Sequence, residues 1–518
     1  MKKIEIYDST LRDGSQMHSI GFSVLDKIKI IKKLDEFGID YIEAGNPGSN
    51  PKEIELFKEL DNIKLHNSKI VAFGSTRRVN ILPEEDQNLR NLINTSVPIV
   101  CIYGKACDFQ VEKVLNTSLQ ENLNMICDSI TFLTKHNKEV FFDAEHFFDG
   151  YKANKQYTLK VIQTAIEAGA TRIILCDTNG GTLTNEIFEI THSVCEQFKH
   201  TKFGIHCHND MDLAVSNTIT AVDAGVIQVQ GTINGYGERC GNTNLCSLIP
   251  TLELKKNIKC LANPENISMI TGVSKFVDEV ANHISNPCNP YVGNLAFTHK
   301  AGAHINAVNK DTKSFEHINP EIVGNVRKKV ISELAGKSAI LEIAQKYVPN
   351  IDKTDKRLVE CIEKIKELEK NGYQFEDATA SIELIIAETL KTYKRFVNIL
   401  YTKVMVEQEN SVAVVKIKIQ DREILSTAEG TGPVETIDSA LRKAIGEIYE
   451  NMIHIRLIDY KVRALDSSTG CEARVLVNIQ TSNGKKVWNT VGVSGDIVYA
   501  TTKALMDSIE YAKLQNII

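Results

Sequence analysis

The chain has 518 residues, 42% apolar and 24% charged, with a formal net charge of −6 at pH 7. This balance excludes the strongly basic surface of a nucleic-acid-binding protein. No apolar run approaches the roughly 20 residues that cross a bilayer, so no membrane association is expected. The twelve cysteines contain no C-x-x-C pair, and a strand pattern begins at Ile4 with no signal peptide in front of it. We therefore expect a cytosolic protein with reduced thiols.

Short apolar runs alternate with longer amphipathic runs through the first half of the chain. The pattern at Leu25–Phe37 has apolar residues three and four apart and is closed by Gly38, and Tyr157–Ala168 closed by Gly169 repeats it. Eight β-α units in succession predict a (β/α)8 TIM barrel over residues 1–262, with an open doubly wound sheet as the alternative. The strand candidates are Ile4–Tyr7, Tyr41–Glu43, Ile70–Phe73, Ile99–Tyr103, Val140–Phe142, Arg172–Cys176, Phe203–His206 and Ile227–Gly231.

Polar residues at the ends of these strands distinguish the two topologies. A barrel brings all strand ends to one face, whereas an open sheet spreads them along a line. The large number of polar residues at strand ends favours the barrel, in which they would all meet at one face. They are Asp13, Glu43, Arg77, Glu145, Thr178, His206, His208 and Glu238.

The rest of the chain divides into a helical region and a second α/β region. Residues 263–395 are predicted to be a helical linker with accessory subdomains, including an amphipathic helix over Asp352–Lys370. Residues 396–518 contain an internal repeat, since Leu425–Leu441 resembles Trp488–Leu505 and each copy reads as strand, glycine-bearing turn and helix. Two copies predict one pseudo-symmetric α+β domain. Such a domain suits an allosteric ligand and a dimer interface about equally.

The segment His206-Cys207-His208 is the clearest chemical signal in the chain. Residues i and i+2 of a strand share a face, so both imidazoles project together, whereas Cys207 points the other way and is expected in the core. With Asp13 as a third ligand and Asn242 as a fourth, these histidines predict a catalytic metal site with open positions. Imidazole with hard oxygen suits Zn, Mn, Fe or Co. The alternative is a pair of hydrogen-bonded core histidines.

Four further residues are candidates for the chemistry, each with a second interpretation. Arg12 beside the metal suits a carboxylate or a developing negative charge, and a salt bridge with Glu43 or Glu145 is compatible with that role. Glu145 is an acid, a base or this anchor. Thr178 binds a substrate carboxylate or caps a turn. His304 lies beyond the barrel, where a histidine is more often structural.

Three motifs together resemble the acyl-CoA condensing family that contains 2-isopropylmalate, homocitrate and citramalate synthases. They are Tyr7–Gly14, the H-x-H strand and Gly235–Asn242. The resemblance covers the whole chain. It implies a lyase-like barrel, accessory subdomains and a C-terminal domain that binds an end-product amino acid. It also implies condensation of acetyl-CoA with a 2-oxo acid, followed by thioester hydrolysis.

The resemblance also implies roles for individual residues. The metal ligands correspond to Asp13, His206, His208 and Asn242, and the cofactor is a divalent ion such as Zn, Mn or Mg. Arg12 corresponds to the arginine that polarises the keto oxygen. Glu145 and Thr178 correspond to contacts of the 2-oxo acid, and Glu43 to an acid near the metal that we group with the substrate-binding residues. His304 corresponds to a base that reaches the partner subunit's site, which implies a homodimer.

Further runs resemble the citramalate synthase branch of this family. They are Pro47–Lys52, Ala72–Arg78, Phe142–Asn154, Cys176–Thr182 and Gln228–Arg239. This branch implies pyruvate as acceptor and isoleucine as feedback ligand. The rival functions are a 2-isopropylmalate synthase acting on 2-oxoisovalerate, a metal-dependent C–C lyase or aldolase on the same barrel, and a sensor that has lost its chemistry.

The chain departs from the family pattern at three places. Phe315 stands where a tyrosine is usual, and Met17-His18 and Ala44-Gly45-Asn46 differ from the residues usual at the barrel mouth. At Phe315 we expect any role of the tyrosine hydroxyl to be lost or taken over by water, and we expect the two changes at the barrel mouth to bear on the choice of acceptor.

Overall fold

The computed structural model describes residues 3–329, 337–376, 378–408, 410–465 and 473–518. The chain forms two compact units. The first comprises Met1–Phe297 and Ile318–Val326, and the second comprises Thr298–His317 and Arg327–Ile518.

A closed barrel of eight parallel strands, paired in chain order, forms the first unit, so the predicted (β/α)8 fold is confirmed and the open sheet is wrong. The barrel closes where the last strand pairs with the first, with Asp8 opposite Gly231. The strands are β1 Glu5–Asp8, β2 Tyr41–Gly45, β3 Lys69–Ser75, β4 Ile99–Lys105, β5 Glu139–Glu145, β6 Arg172–Asp177, β7 Phe203–Cys207 and β8 Gln228–Gly231.

Helices surround this barrel, and local capping explains where several of them start and stop. The first begins at Ser23, whose side chain accepts from the Asp26 amide in a capping box, and ends at Gly38 with φ +99°, as the sequence predicts. The helices of this unit are α1 Val24–Phe37, α2 Pro51–Leu60, α3 Gln87–Ile93, α4 Leu119–Lys135, α5 Phe147–Ala153, α6 Lys155–Glu167, α7 Thr184–Gln197, α8 Ala214–Ala224, α9 Leu245–Lys256 and α10 Ile270–Val280.

Two apolar layers flank the strands. Tyr7, Phe141 and Ile174 belong to the cluster inside the barrel. Cys207, 1% exposed, belongs to the larger cluster formed with the surrounding helices, which confirms its predicted core position. Because side chains alternate along β7, its neighbour His206 is directed to the barrel interior.

The second unit begins with helices and ends with two antiparallel sheets. The helix predicted from Asp352 starts later, at Lys356, because Asp355 caps it by accepting from the Arg357 amide. The elements are β9 Thr298–His299, α11 Gly302–Lys310, β10 Lys328–Lys329, α12 Lys337–Tyr347, α13 Lys356–Lys370, α14 Thr379–Thr389, β11 Val397–Glu407, β12 Asn410–Ile419, β13 Arg422–Gly430, α15 Pro433–Gly446, β14 Arg456–Ala464, β15 Val475–Ser482, β16 Val487–Ser494 and α16 Ile497–Leu514.

The predicted internal repeat is present. Strands β11–β13 form one three-stranded sheet followed by α15, and β14–β16 form another followed by α16. Both copies have a register shift early in their first strand, at Ile399/Tyr401 and at Leu457/Asp459. Both helices pack in one apolar core with the sheets.

Two general features of the described residues concern membrane-spanning helices and cysteine pairing. None of the helices found in those residues is both long and apolar enough to traverse a bilayer. The cysteines in the same ranges are all free thiols.

Candidate metal centre and active site

Asp13, His206 and His208 come together at the carboxyl ends of the barrel strands. Asp13 follows β1, and the histidines lie at the end of β7 and directly after it. Their candidate ligand atoms all lie within 4.8 Å of one another, and all three residues are buried. Asp13 Oδ2 is 3.8 Å from His206 Nε2 and 3.9 Å from His208 Nε2. This is the spacing of ligands around one cation.

The protonation states suit a cation. Burial lowers the pKa of His206, and burial together with the neighbouring His206 lowers the pKa of His208 to about 4. Burial opposes ionisation of Asp13, but the charge of Arg12 holds the pKa of that carboxyl well below its usual range. At neutral pH the site therefore has two uncharged imidazoles and one carboxylate, the charge states in which these side chains bind metals.

Asn242 completes the set with an oxygen that lacks a partner. Its Nδ2 donates to Asp13 Oδ1 at 2.9 Å and to the Tyr236 carbonyl at 3.0 Å. Its Oδ1 is buried and has no hydrogen-bond partner among the described residues. An orphaned buried carbonyl oxygen beside a carboxylate and two imidazoles fits a divalent cation, because the ion would satisfy it.

The two histidines differ in their support. His206 Nδ1 lies 3.0 Å from Gln230 Oε1. His208 Nδ1 instead faces a donor, Arg239 Nη2, at 2.7 Å, and Arg239 is held by an ion pair with Asp210. Gln230 and Arg239 both lie in the run Gln228–Arg239, but the sequence pattern assigned neither a role. The contact of Arg239 with His208 depends on how two loops meet.

Arg12 is anchored by acidic groups on two sides. Its Nε is 2.5 Å from Glu43 Oε2, and its Nη1 is 2.7 Å from Asp13 Oδ2. Its guanidinium carbon lies 3.7 Å from the centre of the Phe73 ring. Glu43 is fully buried and also accepts from Tyr7 Oη at 2.6 Å. The Glu43 alternative for the predicted salt bridge is therefore the one observed.

Glu145 is not the anchor of Arg12. Its Oε2 lies 2.5 Å from Lys105 Nζ on the neighbouring strand. Thr178 Oγ1 accepts from the His146 amide at 2.8 Å, so it bonds to the residue that follows β5 and not to the turn after Thr178 that the sequence suggested. Since this hydroxyl is used there as an acceptor, its own hydrogen remains free to be donated to a ligand.

A small cavity of about 250 Å³ joins these groups. Six predicted site residues line it, and Glu43 lies behind Arg12. Asn242 borders an adjacent cavity of about 490 Å³. The six are Arg12, Asp13, Glu145, Thr178, His206 and His208.

Arg77 follows a strand end as expected, but does not line this cavity. It is 2.8 Å from both Glu121 Oε1 and Asp128 Oδ2 on α4. The strand end alone does not fix the direction of so long a side chain.

His304 belongs to the second unit, on α11. Its ring stacks on Phe315 with centroids 4.0 Å apart and an interplanar angle of 27°. Both side chains are exposed. The phenylalanine at the position where a tyrosine is usual thus stacks against the His304 ring.

Comparison with known proteins supplies the family. A family model described as HMGL-like matches residues 3–277, a homocitrate synthase post-HMGL domain-like model matches 291–373, and the LeuA allosteric (dimerisation) domain matches 376–513. The chain is 46% identical to the (R)-citramalate synthase of Aquifex aeolicus over 99% of this chain and 98% of that protein. It is 45% identical to that of Geobacter sulfurreducens, with coverage of 99% and 98%. It is 45% identical to the (R)-citramalate synthase of Sulfolobus acidocaldarius, over 98% of this chain and 97% of that protein.

The chain belongs to the citramalate synthase family. This confirms the resemblance inferred from the sequence motifs. In this citramalate synthase family member, the HMGL-like segment contains the candidate metal ligands Asp13, His206 and His208, and the LeuA-type segment contains the internal repeat. Arg12 and Asp13, the two histidines and Asn242 lie in the three motifs shared by the wider family, which are Tyr7–Gly14, the H-x-H strand and Gly235–Asn242.

Proposed function

We propose that this protein is an (R)-citramalate synthase of isoleucine biosynthesis. It condenses the methyl group of acetyl-CoA with the 2-oxo carbon of pyruvate and then hydrolyses the thioester, releasing citramalate and CoA. The observation that carries the proposal is 46% identity to a protein of that name over 99% of this chain. Thiol release from acetyl-CoA, compared across pyruvate, 2-oxobutyrate, 2-oxoisovalerate and 2-oxoglutarate, tests it. A higher kcat/KM with 2-oxoisovalerate would instead favour a 2-isopropylmalate synthase.

The proposed division of labour follows the chain. Residues 1–262 form the catalytic barrel, 263–395 the helical accessory region and 396–518 the allosteric and dimerisation domain. We place the enzyme in the cytoplasm, because free thiols such as those found in the described ranges are usual there.

Asp13, His206, His208 and Asn242 would hold a divalent cation, with Zn, Mn and Mg as the candidates. When bound, such an ion supplies Lewis acidity at the 2-oxo group of the acceptor. The orphaned Asn242 Oδ1 and the ionised Asp13 support this assignment.

Arg12 is proposed to stabilise the alkoxide that forms as the carbonyl is attacked. Its guanidinium is fixed by Glu43 and Phe73, so it needs no reorganisation as charge develops. Thr178 is proposed to donate its hydroxyl hydrogen to the acceptor's carboxylate, and Glu145 to contact the same acceptor. Both line the cavity that contains Arg12.

The size of that cavity supports a small acceptor. At about 250 Å³ it lies just below the range of about 300–1,000 Å³ that is usual for small-molecule sites. Phe73 and Tyr103 stack on one another along its wall, with ring centroids 5.6 Å apart. Pyruvate carries a methyl group where 2-oxoisovalerate carries an isopropyl group, and close-packed rings tolerate added methyl groups poorly.

His304 is proposed as the base that removes a proton from the acetyl-CoA methyl group, acting on the partner subunit's active site in a homodimer. The exposed, stacked ring on α11 supports a residue that works on a surface outside its own unit. The match to the LeuA allosteric (dimerisation) domain supports the dimer.

Isoleucine is proposed as the feedback ligand of the C-terminal domain. A cavity of about 1050 Å³ lies between α15 and β14, and a related one of about 530 Å³ lies between α16 and β11. In each of the two cavities, the wall includes the residues six and ten positions after the N-cap of the lining helix. They are Asp438 and Arg442 in the larger cavity and Thr502 and Met506 in the smaller one.

The larger cavity is the better match to an amino acid. Asp438 Oδ1 is buried without a hydrogen-bond partner among the described residues, while Asp438 Oδ2 accepts from Arg442 Nε at 2.6 Å. The free carboxylate oxygen suits an ammonium group. Arg456 suits a carboxylate, and Ile455 and Leu457 suit a branched aliphatic side chain.

The matched pair Asp438→Asn and Thr502→Val tests this assignment. Asp438→Asn should raise the isoleucine concentration for half-inhibition about 10-fold or more, since a charged hydrogen bond is lost, while basal kcat is kept. Thr502→Val should leave inhibition unchanged. If the full-length enzyme ignores isoleucine, leucine and valine alike, the domain serves only dimerisation.

A further inference from the structure

A buried chain of hydrogen bonds runs behind the proposed metal site, inside the barrel. His206 Nδ1 lies 3.0 Å from Gln230 Oε1, and Gln230 Nε2 lies 3.3 Å from Asp143 Oδ1. Cys101 Sγ donates to the same Asp143 oxygen at 3.2 Å. The four residues come from β7, β8, β5 and β4, and all are at most 5% exposed.

This series of hydrogen bonds has a direction, because an amide has one accepting end and one donating end. Asp143 Oδ1 is an acceptor towards both Cys101 and Gln230. Turning the Gln230 amide over would aim its oxygen at the Asp143 oxygen and its NH2 group at the imidazole. Asp143 therefore fixes Gln230 with its oxygen towards His206.

The oxygen of Gln230 in turn selects the tautomer of His206. An imidazole nitrogen that faces an acceptor must carry the hydrogen, so neutral His206 has Nδ1–H and a lone pair on Nε2. Nε2 is the nitrogen directed towards Asp13, at 3.8 Å. His208 has no such support, since its Nδ1 faces the donor Arg239.

We infer that Gln230 and Asp143 are positioning residues, which preset His206 as a metal ligand by fixing its tautomer before any ion binds. The inference rests on the proposed metal site for its purpose but not for its first test. Gln230 does not line the cavity of about 250 Å³ proposed for the acceptor, whereas Asp143 borders it. The role inferred for both residues is exerted through His206.

The first test reads the tautomer in the metal-free protein. Nitrogen-15 shifts of labelled histidine, with His206 assigned by comparison with His206→Gln, distinguish a protonated nitrogen from a bare one. Wild type should show a bare Nε2, and Gln230→Met should shift the ring towards the Nε2–H form. A protonated Nε2 in folded wild type would overturn the inference, whether or not the protein is an enzyme.

The second test measures Zn²⁺ affinity by competition with a chromogenic chelator. Loss of a hydrogen bond behind a ligating histidine typically weakens metal binding about 10- to 100-fold, and that is the result expected for Gln230→Met. Gln230→Glu keeps an acceptor oxygen and should recover most of the affinity. Asp143→Val should weaken binding in the same direction.

Gln228→Met is the matched control. Gln228 is the same residue type on the same strand and is fully buried, but it lies at the start of β8 opposite Glu5, away from the proposed metal ligands. It should bind Zn²⁺ as wild type does. Equal losses for Gln228→Met and Gln230→Met would mean that packing, not the hydrogen bond, matters. Wild type that binds no divalent ion but keeps the bare Nε2 would remove the proposed function and leave the positioning claim standing.

Discussion

The ion pair between Arg12 and Glu43 should contribute both to the folding stability of the barrel and to the catalytic position of Arg12. The variant Glu43→Gln allows the two contributions to be measured. Glutamine keeps the size of the side chain and can still accept from Tyr7, but its NH2 group would face Arg12 Nε across a contact of 2.5 Å. Two donors then meet in a site where residue 43 is fully buried. Arg12 would lose the partner that compensates its desolvation.

Two magnitudes follow. Removing one member of a buried ion pair costs about 3–5 kcal/mol of folding free energy. Displacing a catalytic group by about 1 Å can cost about 100-fold in rate, so kcat should fall by that order. Urea unfolding and steady-state thiol release measure the two effects on the same samples.

Glu5→Gln is the control for this experiment. Glu5 lies at the other end of β1 and pairs with Arg172, at 2.8 Å through each of its two oxygens. The same chemical change there should lower stability, by less because Glu5 is partly exposed, and should leave kcat near the wild-type value. If both variants lose kcat equally, or if Glu43→Gln keeps wild-type kcat, Arg12 does not depend on Glu43 for its catalytic geometry.

Three further predictions concern the ligands, the pH dependence and the subunits. Asp13→Ala and His206→Ala should each abolish activity and lower the metal content measured by elemental analysis, while the circular dichroism spectrum stays native. Full metal occupancy in both variants would show that the site is misplaced. Burial raises the pKa of Asp143 to about 7, so between about pH 4 and 7 the folded state holds a proton on this residue that the unfolded state has released. With rising pH, wild type should therefore lose up to about 4 kcal/mol more stability than Asp143→Asn, in which only other raised carboxyl groups such as Asp8 still contribute. Parallel urea-unfolding profiles for the two proteins would refute this. Mixing inactive Arg12→Ala and His304→Ala chains under subunit exchange should restore up to about half of the sites in mixed dimers if the base acts in trans, and no recovery after proven exchange would place His304 elsewhere.

The barrel and the metal ligands could be predicted because they depend on local patterns. Alternation along a strand puts His206 and His208 on one face, and parallel closure brings Asp13 to the same end. Neither inference needs to know which strands are neighbours. The internal repeat was likewise visible as similarity within one chain.

The supporting contacts could not be predicted, because they depend on register between strands distant in sequence. Glu145 pairs with Lys105 since β4 and β5 align those two positions. Gln230 reaches Asp143 across the barrel interior, between strands that are not neighbours. Periodicity carries no information about such pairs, so the sequence offered Glu43 and Glu145 as equal partners for Arg12.

The proposal that this protein is a metal-dependent (R)-citramalate synthase is best tested by thiol release from acetyl-CoA by purified protein, with the product identified by chiral chromatography. The protein is assayed as isolated, after chelation and after return of a divalent ion. We predict that pyruvate gives the highest kcat/KM, that (R)-citramalate is the product, and that chelation abolishes and metal restores the activity. A higher kcat/KM with 2-oxoisovalerate, or full activity after complete metal removal, would contradict it.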